Sequence, residues 1–92
     1  MLGVEKDEPK LYLRDANGKM RAEMNVDKNR PLLSLYDANE NIRVGMGVNE
    51  NEPVLSMTDK KSNPRVILSV VEEGPVLSLM DANGKPIWQS PR

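Results

Sequence analysis

Residues 9–30 read PKLYLRDANGKMRAEMNVDKNR, and the same pattern returns as PLLSLYDANENIRVGMGVNENE over 31–52, PVLSMTDKKSNPRVILSVVEEG over 53–74 and a shortened PVLSLMDANGKPIWQSPR over 75–92. The opening prolines Pro9, Pro31, Pro53 and Pro75 keep a constant step of 22 residues, with no insertion or deletion between them. Residues 1–8 match the second half of a unit, so residues 1–92 form a single repeat domain preceded by a half-unit. A fixed period of this length is the signature of a repeat architecture, in which each unit buries its apolar face only against its neighbours.

Each unit holds two apolar runs, and both alternate. Leu11 and Leu13, Leu33 and Leu35, Leu55 and Met57, Leu77 and Leu79 form the first, and Ala22-Met24-Val26, Val44-Met46-Val48 and Val66-Leu68-Val70 form the second. A period of two predicts strands. Asn17-Gly18 and Asn83-Gly84 lie between such runs, the strongest short hairpin signal because a type I′ turn needs positive φ at both central residues. A two-residue turn at Asn17-Gly18 pairs Leu13 with Ala22 and Leu11 with Met24. A three-residue loop would set Leu13 against Arg21 and is rejected on parity. The second gap, Asp27 to Arg30, has the same parity and places Met24 opposite Leu33.

The expectation is an all-β fold, an antiparallel meander of four hairpin repeats with about eight short strands and a fragment ahead of them, forming an open curled sheet or a barrel. A parallel β-helix would also give a constant period; the hairpin signals favour the meander. The strand-opening prolines suit strand starts, Pro86 lies in the last strand, and Pro64 is expected to shorten the strand it opens.

Parity divides the residues between two faces. The aliphatic one, with Leu11, Met24, Leu33, Met46, Leu55, Leu68, Leu77 and their companions, is the expected core, with Trp88 closing its end. The other mixes Lys10, Tyr12, Arg21 and Glu23 with Leu32, Ser34, Gly45, Gly47, Val54, Ser56, Ile67, Val76, Ser78 and Ile87. Apolar residues set among Ser and Gly on a second face point to an interface, and these ten are the candidate oligomer contacts. The expected partners are copies of the same chain or another protein.

The chain has no cysteine, histidine or phenylalanine, which excludes disulfides, thiol nucleophiles, histidine bases and Cys/His metal sites. No catalytic, cofactor-binding or metal-binding residue is expected, and the chain does not read as an enzyme. Ser34, Ser56 and Ser78 have no base partner. Asp15-Ala16-Asn17-Gly18 resembles the start of a calcium loop, but Lys19, Met20 and Arg21 follow where further oxygen ligands belong, and Asp and Asn bonding their own turn backbone explain the motif. Net charge −1 argues against bulk electrostatic binding of nucleic acid. The longest apolar stretch, Val66 to Val71, falls far short of the roughly 20 residues a membrane helix needs. Nothing reads as a signal peptide, so the cytoplasm is the default expectation.

Arg21, Arg43 and Arg65 recur at the repeat step and stand two strands apart, or roughly 10 Å. With Tyr36 across from Arg43 as a stacking partner they are the candidate anion- or small-molecule-binding row of an alternative, ligand-binding function. Pairing of the same arginines with turn carboxylates is the simpler reading. The units PLLSLYDANENIRVGMGV and PVLSLMDANGKPIWQSPR resemble uncharacterised bacterial proteins, some carried on mobile gene cassettes, built from Asp-x-Asn-Gly-Lys-x-Arg repeats with a Gly-Lys-x-Ile/Val-Trp tail. That resemblance implies a hairpin-repeat fold and no assigned activity. The expected function is a structural or protein–protein interaction module.

Overall fold

In the computed structural model, which describes residues 2–5 and 8–90 with side chains from Pro9 to Ser90, nine strands form one antiparallel sheet in chain order. They are β1 (Leu2–Glu5), β2 (Glu8–Arg14), β3 (Met20–Asp27), β4 (Arg30–Tyr36), β5 (Ile42–Asn49), β6 (Glu52–Thr58), β7 (Pro64–Val71), β8 (Gly74–Met80) and β9 (Pro86–Ser90). Each strand pairs antiparallel with the next in chain order, so the meander is the architecture and the parallel β-helix is excluded. β7 begins at Pro64 and is eight residues long, as β3 and β5 are, so this proline opens its strand without shortening it.

The Asn17-Gly18 turn departs from the expected type I′ form. Gly18 N–H donates to Asp15 O at 2.9 Å, Asp15 N–H donates to Lys19 O at 2.9 Å, and Gly18 takes φ +80° while Asn17 stays out of the left-handed region. This is the three-residue loop that parity seemed to forbid. A β-bulge restores parity: Leu13 still faces Ala22, but Arg14 faces Met20, which leaves Arg21 as the extra residue. The same bulge recurs at Tyr36/Ile42, Thr58/Pro64 and Met80/Pro86, with Arg43, Arg65 and Ile87 as its extra residues. The opposite turns are two-residue loops, Asp27 facing Arg30 and Asn49 facing Glu52, as parity required.

Glu40 and Ser62 occupy the position of Gly18 with φ of 64° and 69°. Glu40 gains a compensating contact, its carboxylate accepting from Met20 N–H at 3.0 Å across the neighbouring turn. Left-handed backbone costs a non-glycine residue roughly 1–2 kcal/mol, part of which glycine gives back through its greater freedom in the unfolded chain. Ser62→Gly is therefore expected to stabilise the protein by about 1 kcal/mol, a rise of roughly 4–8 °C in Tm for a domain of this size, read by calorimetry; an unchanged or lower Tm would contradict the turn geometry.

Following paired residues across the sheet explains why it stays open. The row Leu2, Leu11, Met24, Leu33, Met46, Leu55, Leu68, Leu77, Ser90 crosses all nine strands and arrives at the residue 88 positions after its start, four whole units on. No stagger accumulates between the first strand and the last. A barrel requires tilted strands and a fixed stagger on closure, so this register cannot close and the barrel alternative is excluded.

The sheet is consequently a single layer, 42 × 29 × 14 Å. None of the described side chains is buried. The aliphatic face expected to be a core is open: Leu13 is 58% exposed, Met24 51% and Val70 52%. Trp88 pairs with Leu79 as parity required, but it plugs no interior. The expectation of a core fails because alternation marks a face that must be covered, and a meander without stagger has no second layer with which to cover it.

Candidate functional site

Two surfaces bear on function, and the hairpin turns frame the first. In each of the first three units a turn aspartate begins the loop. Asp15 Oδ1 accepts from Asn17 N–H at 2.9 Å and Lys19 N–H at 3.1 Å; Asp37 and Asp59 make the same pairs of bonds, and Asp81 repeats them in the fourth. These bonds hold the carboxyls of Asp15, Asp37 and Asp59 below their ordinary 3.8, the backbone donor four residues after each aspartate being the largest cause (Lys19, Asn41 and Asn63) and burial acting in the opposite sense. Two backbone donors on one carboxylate oxygen account for the recurring aspartate through the turn alone.

The arginines complete the frame. Because the bulge turns its extra residue sideways, Arg21 reaches back to Asp15, with Nη1 3.5 Å from Oδ2, and forward to the next strand, Nε donating to Tyr36 O at 3.2 Å. Arg43 bridges Asp37 and Thr58 O, and Arg65 bridges Asp59 and Met80 O, with distances of 3.5, 2.6, 3.4 and 2.7 Å in that order. Each arginine is a bracket from its own turn to the last carbonyl of the following strand. The three stand in one row, and in the fourth unit the position is Ile87, 67% exposed. Tyr36 faces the bulge that contains Arg43, but its hydroxyl donates to Glu23 Oε1 at 3.0 Å; burial first, and then that carboxylate, raise its pKa. A guanidinium does lie over Tyr12, with Arg14 5.4 Å from the ring centroid.

A depressed folded pKa means that the bonded carboxylates stabilise the fold above the unfolded value and lose that contribution as pH falls through the folded one. Stability should accordingly be flat from neutrality down to about pH 5 and decline below 3.8, the unfolded value of these aspartates. Urea titration at a series of pH values reads this. The triple variant Asp15→Asn, Asp37→Asn, Asp59→Asn should flatten the acid limb, and an unaltered limb would remove these groups as its cause.

Nine of the ten candidate interface residues share one face by register and fall in two cross-strand rows. Ser34, Gly45, Ser56, Ile67 and Ser78 follow one another, as do Leu32, Gly47 and Val54, with Val76 beyond Ser69. Ile87 stands apart in the last bulge. This face packs upon itself: the Leu32 side chain lies over Gly47, and Ser69 Oγ donates to Pro53 O at 2.9 Å.

The other face is the second surface, and its exposure was missed from sequence. An open trough of about 520 Å³ is lined mainly by this face, by Met24, Leu33, Met46, Val48, Leu55, Leu68 and Val70 among others, and also reaches the outer-face positions Leu32, Gly47, Val54 and Ser69. The signal is the alternation itself, which marks a face to be covered, together with a register that accumulates no stagger and so leaves that face open. Among the described residues no helix is long and apolar enough to cross a membrane, and no group of three or more acidic, His or Cys side chains is placed to hold a metal ion. No protein-family model matches the chain, and no curated protein matches it.

Proposed function

We propose that this chain is a structural and protein–protein interaction module that works as a self-associated assembly. One observation carries the proposal: no described side chain is buried, although the strands carry an aliphatic face from Leu11 to Leu79. The exposed surface is 6,908 Å², whereas a folded monomer of 10.3 kDa exposes about 5,400 Å². The radius of gyration is 14.9 Å against about 12 Å for a compact domain of this length. The excess, about 1,500 Å², exceeds the roughly 800 Å² that each partner contributes to a stable interface.

Burial of that order is what a domain of this size needs to offset its conformational entropy. A charge-free aliphatic face selects its partner by shape and apolar area, and a second copy is present wherever the first is. Light scattering over a range of concentrations tests the proposal. A mass that is a multiple of 10.3 kDa, falling only on strong dilution, is the expected result; a well-folded monomer at every concentration would overturn it.

A further inference from the structure

Resting on that reading, we infer that two copies meet through the aliphatic face, stacking sheet on sheet about a two-fold axis with Met46, Leu55 and Leu68 of one cross-strand row at the centre, and that the serine- and glycine-rich face stays outside. The sheet measures 42 × 29 Å in its plane, a footprint of about 1,200 Å², which suffices for a stable dimer. The two faces differ in how far they are finished. On the outer one, Leu32 covers Gly47, Ser69 is bonded to Pro53 O and Tyr36 to Glu23. On the aliphatic one, Met24, Met46 and Leu68 remain 51, 42 and 44% exposed around a trough that their own chain leaves unfilled.

Charge points the same way. The arginine brackets and turn aspartates lie at the hairpin ends, and the strand positions of the aliphatic face carry no ionised group, so stacking two copies juxtaposes no like charges. One surface meeting itself requires an isologous, closed contact, and two twisted sheets stack with interdigitating side chains about 10 Å apart. The flexible Met24 and Met46 side chains can enter the partner's trough without a fixed rotamer.

The cysteine-free chain permits a direct test. Single-cysteine variants Met46→Cys and Ser56→Cys are labelled with a maleimide under native conditions at low and high protein concentration, and the charged variants Met46→Glu and Ser56→Glu are weighed by light scattering. The expected result is labelling of Met46→Cys slowed about tenfold or more at high concentration, with Ser56→Cys unaffected, and a dissociation constant raised about 100-fold or more by Met46→Glu alone. If Met46→Glu fails to fold, the labelling pair still decides. Protection of Ser56→Cys with free labelling of Met46→Cys would overturn the inference while self-association stood; a monomeric parent chain with both sites labelled freely would overturn both.

Discussion

Leu55→Ala should lower the free energy of unfolding by about 2–5 kcal/mol, the cost of removing a leucine from a filled interior. In the isolated chain Leu55 is only half-buried and lines an open trough. Fully burying a leucine contributes about 1.5–3 kcal/mol, so half-burial in a single layer would put the loss near 1 kcal/mol, with little cavity term because the lining is already open to water. The size of the effect therefore separates a free-standing sheet from one covered by a partner. Leu13, 58% exposed, supplies the comparison within the same face. Urea unfolding at two protein concentrations is the measurement. In an assembly the midpoint rises with concentration by mass action and Leu55→Ala moves it far more than Leu13→Ala does. A loss below about 1 kcal/mol with concentration-independent midpoints would return the protein to a monomeric single layer.

The period, the hairpin order and the pairing of Leu11 with Met24, Leu13 with Ala22 and Met24 with Leu33 were legible in the sequence, because strand parity is set by which residues are apolar. The turn type was not. A three-residue loop shifts the register by one and the bulge at Arg21 shifts it back, so two departures cancel and leave the apolar pairing that a two-residue turn would have given. Asn-Gly serves either turn, since both need positive φ at the glycine. The residues that expose the difference are Glu40 and Ser62: at Asn39-Glu40 and Lys61-Ser62 only the second residue is left-handed, whereas the two-residue turn at Lys28-Asn29 has positive φ at both, 52° and 67°.

The brackets were half legible. Aspartate and arginine recur six residues apart in three units, a spacing that no strand requires, and pairing between them is its simplest explanation. The carbonyl contact was hidden, because it depends on the bulge turning Arg21, Arg43 and Arg65 toward the next hairpin. The missing core has a different cause. Alternation says that a face must be covered and is silent on whether the cover belongs to the same chain; the answer lay in the pairing of Leu11 with Met24 and Met24 with Leu33, which sets the two turns of each unit half a repeat apart, returns every row to its starting height and leaves no stagger with which to close a barrel.

Gly47→Ala tests the self-packed outer face and is the sharper of two glycine substitutions. A Cβ at Gly47 would stand 2.6 Å from Pro31 O and 2.7 Å from Leu32 Cδ2, and the first of these is backbone that cannot rotate away. Leu32 is the cross-strand partner of Gly47, so relief requires β4 and β5 to separate or the Leu32 side chain to leave the face. Overpacking of this kind costs about 1–3 kcal/mol, and separation would add the lost ladder bonds. At Gly45, two residues earlier on the same face, a Cβ would meet only Ser56 Oγ at 3.7 Å, an ordinary contact, and strand alanine is no worse than strand glycine. Gly45→Ala should accordingly stay within about 0.5 kcal/mol of the parent. Paired denaturation curves decide it. Equal losses at the two positions would mean that the outer face is uniformly crowded by something other than Leu32, which would make it the covered face of the assembly; a large loss confined to Gly47 means that the sheet's own side chains do the covering there and leaves the aliphatic face as the one that needs a partner.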